Sequence, residues 1–147
     1  DLGVLKQFFG VVKDYNKDFK SYLEFFSFVS NGKENFMKQF KASNDENKFV
    51  NNVNKMIIVD FDENVLKYLT AIENYSIDEV KTKLNLENIQ YKFDDDFVIP
   101  VFPLTGQDLI DIGFKQGLEI GEILKNLKSI WGQNNFVFNK EELLERI

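Results

Sequence analysis

The sequence predicts an all-α protein. Apolar residues recur at three and four residues along most of the chain, the spacing of one helical face. Helix-start signals recur too: Ser43 with Glu46, Ser76 with Glu79, and Thr105 with Asp108 each place a hydroxyl three residues before a carboxylate, the arrangement of a capping box. No stretch alternates convincingly enough for a strand, and no repeat of fixed period or low-complexity tract is found. The expected architecture is an extended array of about eight helices ending in a helix-turn-helix and a terminal helix. The acidic loop before Phe97 suggests a helical body over residues 1–92 and a helical tail over 93–147.

Taken in order, Leu2–Asp14 carries Leu2, Leu5, Phe8, Phe9 and Val12 on one helical stripe, weakened by Gly3 and Gly10. Lys17–Ser30 is a second helix with Phe19, Tyr22, Leu23, Phe26 and Val29 on its apolar side, stopped by Ser30-Asn31-Gly32. Lys33–Lys41 is a third, with Phe36, Met37 and Phe40 inward. Ser43 caps a fourth. After the break at Asp60–Asp62, a fifth helix turns Val65, Tyr68, Leu69 and Ile72 inward. A sixth begins at Ser76 and turns Ile77, Val80 and Leu84 inward, with a further turn over Leu86–Tyr91. Asn139 caps a last helix over Lys140–Ile147.

The most informative stretch is Val101–Trp131. Pro103 marks a boundary, because it can neither continue a helix nor donate a backbone hydrogen bond. Thr105 caps a short helix from Gly106 whose apolar side is Leu109, Ile110 and Ile112, and Gly113 ends it in the left-handed conformation. A turn over Phe114–Gly117 leads to a longer helix, Leu118–Trp131, with Ile120, Ile123, Leu124, Leu127, Ile130 and Trp131 on one face. Gly121 lies inside that helix at a cost of about 1 kcal/mol against Ala. The simplest compensation is close approach by a neighbouring helix or a ligand.

Composition narrows the function classes. The 147 residues suffice for one sizeable core or two small ones. With 44% hydrophobic and 15% aromatic residues the chain is globular rather than disordered. No apolar run reaches the ~18 residues that a membrane span needs, so no membrane partner is expected. Residue 1 is Asp, so the chain reads as a piece of a longer protein. Cysteine and histidine are both absent. That excludes disulfides, thiolate nucleophiles, the usual zinc sites and imidazole acid-base chemistry. No phosphate-cradling loop of the G-x-x-x-x-G-K-[ST] or G-x-G-x-x-G form is present. The net charge of −6 argues against a free-standing, strongly basic nucleic-acid binder. The charge is uneven, however: nine Lys face eight acids over Asp1–Asp60, four face nine over Phe61–Pro100, and five basic residues face seven acids from Val101 on.

Three features could carry chemistry. The first is the hairpin of Gly113, Lys115 and Gly117. Its glycines bare backbone N–H groups at the positive end of the following helix, and Lys115 adds a cation, which together would seat a phosphate. The competing reading is that the glycines only let two helices pack closely. The second is a loose stripe of Lys38, Lys41 and Lys48, suited to an RNA backbone. The same lysines, interleaved with Asp45 and Glu46, also fit an ordinary solvated face. The third is carboxylates, Asp94-Asp95-Asp96 and the pair Asp60 and Asp62, which read as solvated loops rather than a metal site. Trp131, with Phe136 and Phe138, could stack on a base but falls on the apolar face of its helix, which favours core.

The order P-x-x-G-x-D-L-x-x-x-G-x-x-x-G-x-x-x-G-x-x-L-x-x-L-x-x-x-W is carried here by Pro103, Gly106, Asp108, Leu109, Gly113, Gly117, Gly121, Leu124, Leu127 and Trp131. It resembles the C-terminal part of bacterial CCA tRNA nucleotidyltransferases, the family that also holds bacterial poly(A) polymerases. Phe136 and Glu141-Glu142-Leu143-Leu144 look like that family's closing helix. Phe40, Ser43, Asn44, Glu46 and Phe49 are similar to its L-x-L-S-N-x-E-R-x-x-L segment. The chain departs from the family at Gln116-Gly117-Leu118, where prolines usually flank the glycine.

The resemblance implies a parent enzyme that transfers CMP and AMP from CTP and ATP to a tRNA 3′ end, using Mg²⁺ held by head-domain carboxylates. The head motifs do not occur in this chain. The piece would then be non-catalytic, with no cofactor of its own. It would hold tRNA, or another RNA 3′ end, for an N-terminal catalytic domain, in the cytoplasm. A helical protein-protein interaction module is the reading from another class. It predicts a contiguous exposed apolar patch and no salt-dependent affinity for tRNA.

Overall fold

The computed structural model describes residues 22–30, 37–38 and 42–147. The helix expected over Leu2–Asp14 and most of that over Lys33–Lys41 lie outside the described residues. The described residues form seven helices and no strand: α1 (Tyr22–Ser30), α2 (Asn44–Lys55), α3 (Glu63–Ala71), α4 (Ile77–Leu86), α5 (Gly106–Asp111), α6 (Leu118–Gln133) and α7 (Lys140–Leu144). The fold is all-α. By packing, the chain divides into two compact units that are not consecutive segments. One comprises the chain up to Val59 together with Ile77–Gln90; the other comprises Asp60–Ser76 and Tyr91–Ile147.

In the first unit α1, α2 and α4 pack on one another. Its apolar interior is Val50, Val53 and Met56 from α2 and its end, Val80 and Leu84 from α4, and Met37 from a 3₁₀ turn. The sequence places Leu23, Phe26 and Val29 on the inner side of α1, yet these are only half-buried. The deepest positions are Glu24, Ser27 and Ser30, a polar row at a spacing of three, with Glu24 2% exposed. Buried polar groups are tolerated when they are hydrogen-bonded, and these are. Ser27 Oγ donates to the Leu23 carbonyl at 2.8 Å, and Ser30 Oγ to the Ser27 carbonyl at 2.9 Å. Asparagine amides then join each pair of helices. Asn54 Nδ2 donates to Ser30 Oγ at 2.5 Å (α2 to α1), Asn52 Nδ2 to Glu79 Oε1 at 2.8 Å (α2 to α4), and Asn85 Nδ2 to Glu24 Oε1 (α4 to α1).

The termini of these helices follow local chemistry. Ser43 and Glu46 form the expected box: the Ser43 N–H donates to Glu46 Oε2 at 2.6 Å and the Glu46 N–H to Ser43 Oγ at 3.2 Å. α4 ends on Asn88 in the left-handed region, φ 59°. There the Ile89 N–H reaches the Leu84 carbonyl at 2.9 Å and the Asn88 N–H the Asn85 carbonyl at 3.2 Å, the bond pair of a Schellman motif.

In the second unit α6 packs on α3 and α5. Asp62 caps α3 by accepting from the Val65 N–H at 2.8 Å, which gives this carboxylate a structural task. Leu104, Leu127, Trp131 and Leu143 form the core, with Phe102 and Phe136 against Trp131 at ring-centroid separations of 5.4 and 4.9 Å. Trp131 is 3% exposed, so it belongs to the interior rather than to a stacking surface. α7 stops at Leu144, short of the expected Ile147, and is capped by Asn139, whose side chain accepts from the Glu142 N–H at 3.0 Å.

The glycine that close packing demands is Gly132. A Cβ there would lie 2.7 Å from Ile72 Cγ1 and 3.2 Å from Tyr68 Cδ2, so α3 meets the α6 backbone at this point. Gly121, for which the sequence suggests such an approach, is exposed, and a Cβ there would meet nothing within 4 Å. Among the described residues no neighbouring segment compensates its cost.

Candidate nucleic-acid interface

The helix-turn-helix of α5 and α6 forms as the sequence predicts. The Thr105 N–H donates to Asp108 Oδ2 at 2.7 Å, and Thr105 Oγ1 donates to the same oxygen at 2.8 Å. The other carboxylate oxygen, Oδ1, receives Lys140 Nζ at 2.5 Å, which fastens the start of α7 to the start of α5. These donors, Lys140 foremost and then Thr105, pull the Asp108 carboxyl down to about 2. Asp108 in turn raises the Lys140 ammonium above its ordinary value. The carboxylate is committed to a helix start and an ion pair, as expected of a structural residue. Lys140 was not legible as its partner, because nothing local links residues 32 positions apart.

α5 ends at Gly113, φ +107°. The Phe114 N–H bonds the Leu109 carbonyl at 3.0 Å and the Gly113 N–H the Ile110 carbonyl at 2.9 Å, a second Schellman motif. The expected apolar side of α5 is not one face: Leu109 is fully buried, while Ile110 and Ile112 are exposed, Ile112 at 52%. Lys115, Gln116 and Gly117 are exposed. Gly117 is the N-cap of α6 and supplies no side-chain hydrogen bond. Its φ of 162° is extended backbone open to any residue, so the glycine contributes bare space rather than a special conformation.

The electrostatics of this turn are mixed. The first N–H groups of a helix have no intrahelical acceptor, and the helix dipole is positive there. Lys115 adds positive charge, whereas Glu119 in the first turn of α6 adds negative charge. Leu118, 93% exposed, adds an apolar side chain.

Gly113, Lys115 and Gly117 therefore share one exposed turn of the second unit. Lys38 and Lys48 are exposed in the first unit, and Lys41 lies outside the described residues. Asp94, Asp95 and Asp96 are exposed in a loop. Among the described residues no group of three or more acidic side chains is arranged to hold a metal ion. No helix among them is long and apolar enough to cross a membrane.

The fold and this turn define an all-α chain that carries a capped helix-turn-helix. Comparison with known proteins adds a partial similarity. A segment of 49 residues is 41% identical to CCA tRNA nucleotidyltransferase 1, mitochondrial, of Danio rerio. The proteins of the same name from Homo sapiens and Mus musculus are 39% and 37% identical over 49 residues. Each match covers 33% of this chain and 11% of the relative, so the chain matches about a tenth of the length of these curated proteins. The similarity is to CCA-adding enzymes of animals and does not single out the bacterial ones. No family model matches the chain. No solved structure matches it either.

Proposed function

We propose that this chain is the tRNA-holding C-terminal part of a CCA-adding tRNA nucleotidyltransferase, a protein whose chemistry takes place on a separate catalytic domain with Mg²⁺. The observation that carries the proposal is the 37–41% identity to three nucleotidyltransferases over a third of the chain. The glycine order from Gly106 to Trp131 supports it, as does the exposed, side-chain-uncapped start of α6 beside Lys115. In this reading the turn of Gly113, Lys115 and Gly117 accepts an RNA phosphate through backbone N–H groups and one ammonium. Lys38, Lys41 and Lys48 supply further phosphate contacts. Such contacts fix register without reading sequence. Their contribution to the reaction is positional, because holding one reactant at a set distance removes much of the entropic barrier.

Fluorescence anisotropy with labelled tRNA across a salt series tests this. Affinity should fall as salt rises, and Lys115→Ala should lower the log-log slope by about 0.7–0.9, the loss of one phosphate contact. Binding that is absent, or whose slope Lys115→Ala leaves unchanged, would overturn the assignment of the turn. Poly(A) addition is separated from CCA addition by supplying the intact enzyme with each acceptor.

A second reading rests on Ile112 and Leu118, which stand exposed on either side of the same turn. A helical interaction module would use them to dock a protein. In that case Leu118→Ser would reduce association measured by sedimentation, and tRNA would show no salt-dependent affinity.

A further inference from the structure

We draw no further inference here: the strongest candidate, the open cleft of the second unit between α3 and the loop that follows α4, lined by Glu63, Lys67, Tyr91, Asp94, Asp95 and Asp96, is an acidic cluster whose Glu63 is already paired with Lys67, and no second observation points to a ligand.

Discussion

Two glycines of α6 sit in opposite surroundings, and substitution should separate them. At Gly121 the Cβ of alanine enters open space, so Gly121→Ala should raise stability by up to about 1 kcal/mol, chiefly through helix propensity. At Gly132 the same atom meets Ile72 and Tyr68 inside van der Waals contact. Gly132→Ala should therefore destabilise by about 1–3 kcal/mol, the usual cost of overpacking. Urea unfolding midpoints moving in opposite directions would bear this out, and equal shifts would refute it. Trp131 offers a second test. Its indole Nε1 is buried and has no hydrogen-bond partner among the described residues. Trp131→Ala should cost about 3–5 kcal/mol through the cavity it leaves. Trp131→Phe should cost clearly less, since it also removes an unsatisfied donor.

Asp108 gives a prediction in pH. Its folded value is depressed from 3.8 to about 2, so its contribution to stability is present above the unfolded value and is lost as pH falls through the folded one. Lys140 has the opposite sign: its value is raised, so its contribution is present below the unfolded value and is lost as pH rises through the folded one. An NMR titration should find the Asp108 carboxyl titrating near 2, and Lys140→Ala should move that midpoint up towards 3.8. A midpoint already near 3.8 in the unsubstituted chain would show that the ion pair does not persist in solution.

At the scale of elements, the three asparagine ties of the first unit should rank by the charge of their acceptor. Asn52 and Asn85 donate to buried carboxylates, whereas Asn54 donates to a hydroxyl. Hydrogen bonds to charged groups contribute about 1.5–3 kcal/mol and neutral ones about 1. Asn52→Ala and Asn85→Ala should thus lower unfolding free energy more than Asn54→Ala. These ties also mark what the sequence could and could not reveal. The starts of α2, α5 and α7 were readable, because a cap and its partner lie three residues apart. The polar inner face of α1 was not. Glu24 and Ser30 find their partners 61 and 24 residues away, and without those partners an apolar stripe is the only sensible inward face. The left-handed ends at Asn88 and Asn135 were missed for a different reason. Asparagine tolerates that conformation but, unlike glycine, does not announce it. At the candidate interface the turn was legible from Thr105, Asp108 and Gly113. The exposure of Ile112 and Leu118 was not, since periodicity alone counts every apolar residue as inward.

For the whole molecule, the decisive fact is that the chain passes between its two units more than once. α3 belongs with α6, although α4 of the other unit lies between them in sequence. A fragment of residues 93–147 would leave the α6 face at Gly132 without Tyr68 and Ile72. We expect that fragment to show weak near-ultraviolet ellipticity around Trp131 and low protection from hydrogen exchange in α6. A fragment of residues 60–147, which restores α3, should recover both. Equal order in the two fragments would show that α3 is dispensable to the second unit.

This threading also bears on biosynthesis. The ribosome delivers α3 well before α6, and the side chains that will meet Gly132 must wait in water until α6 has been made. Closing so long a loop is slow relative to local helix formation. The unit that carries the candidate RNA contact should therefore mature last, and a ribosome stalled after α3 but before Gly132 would hold an α3 whose packing partner has not yet been made.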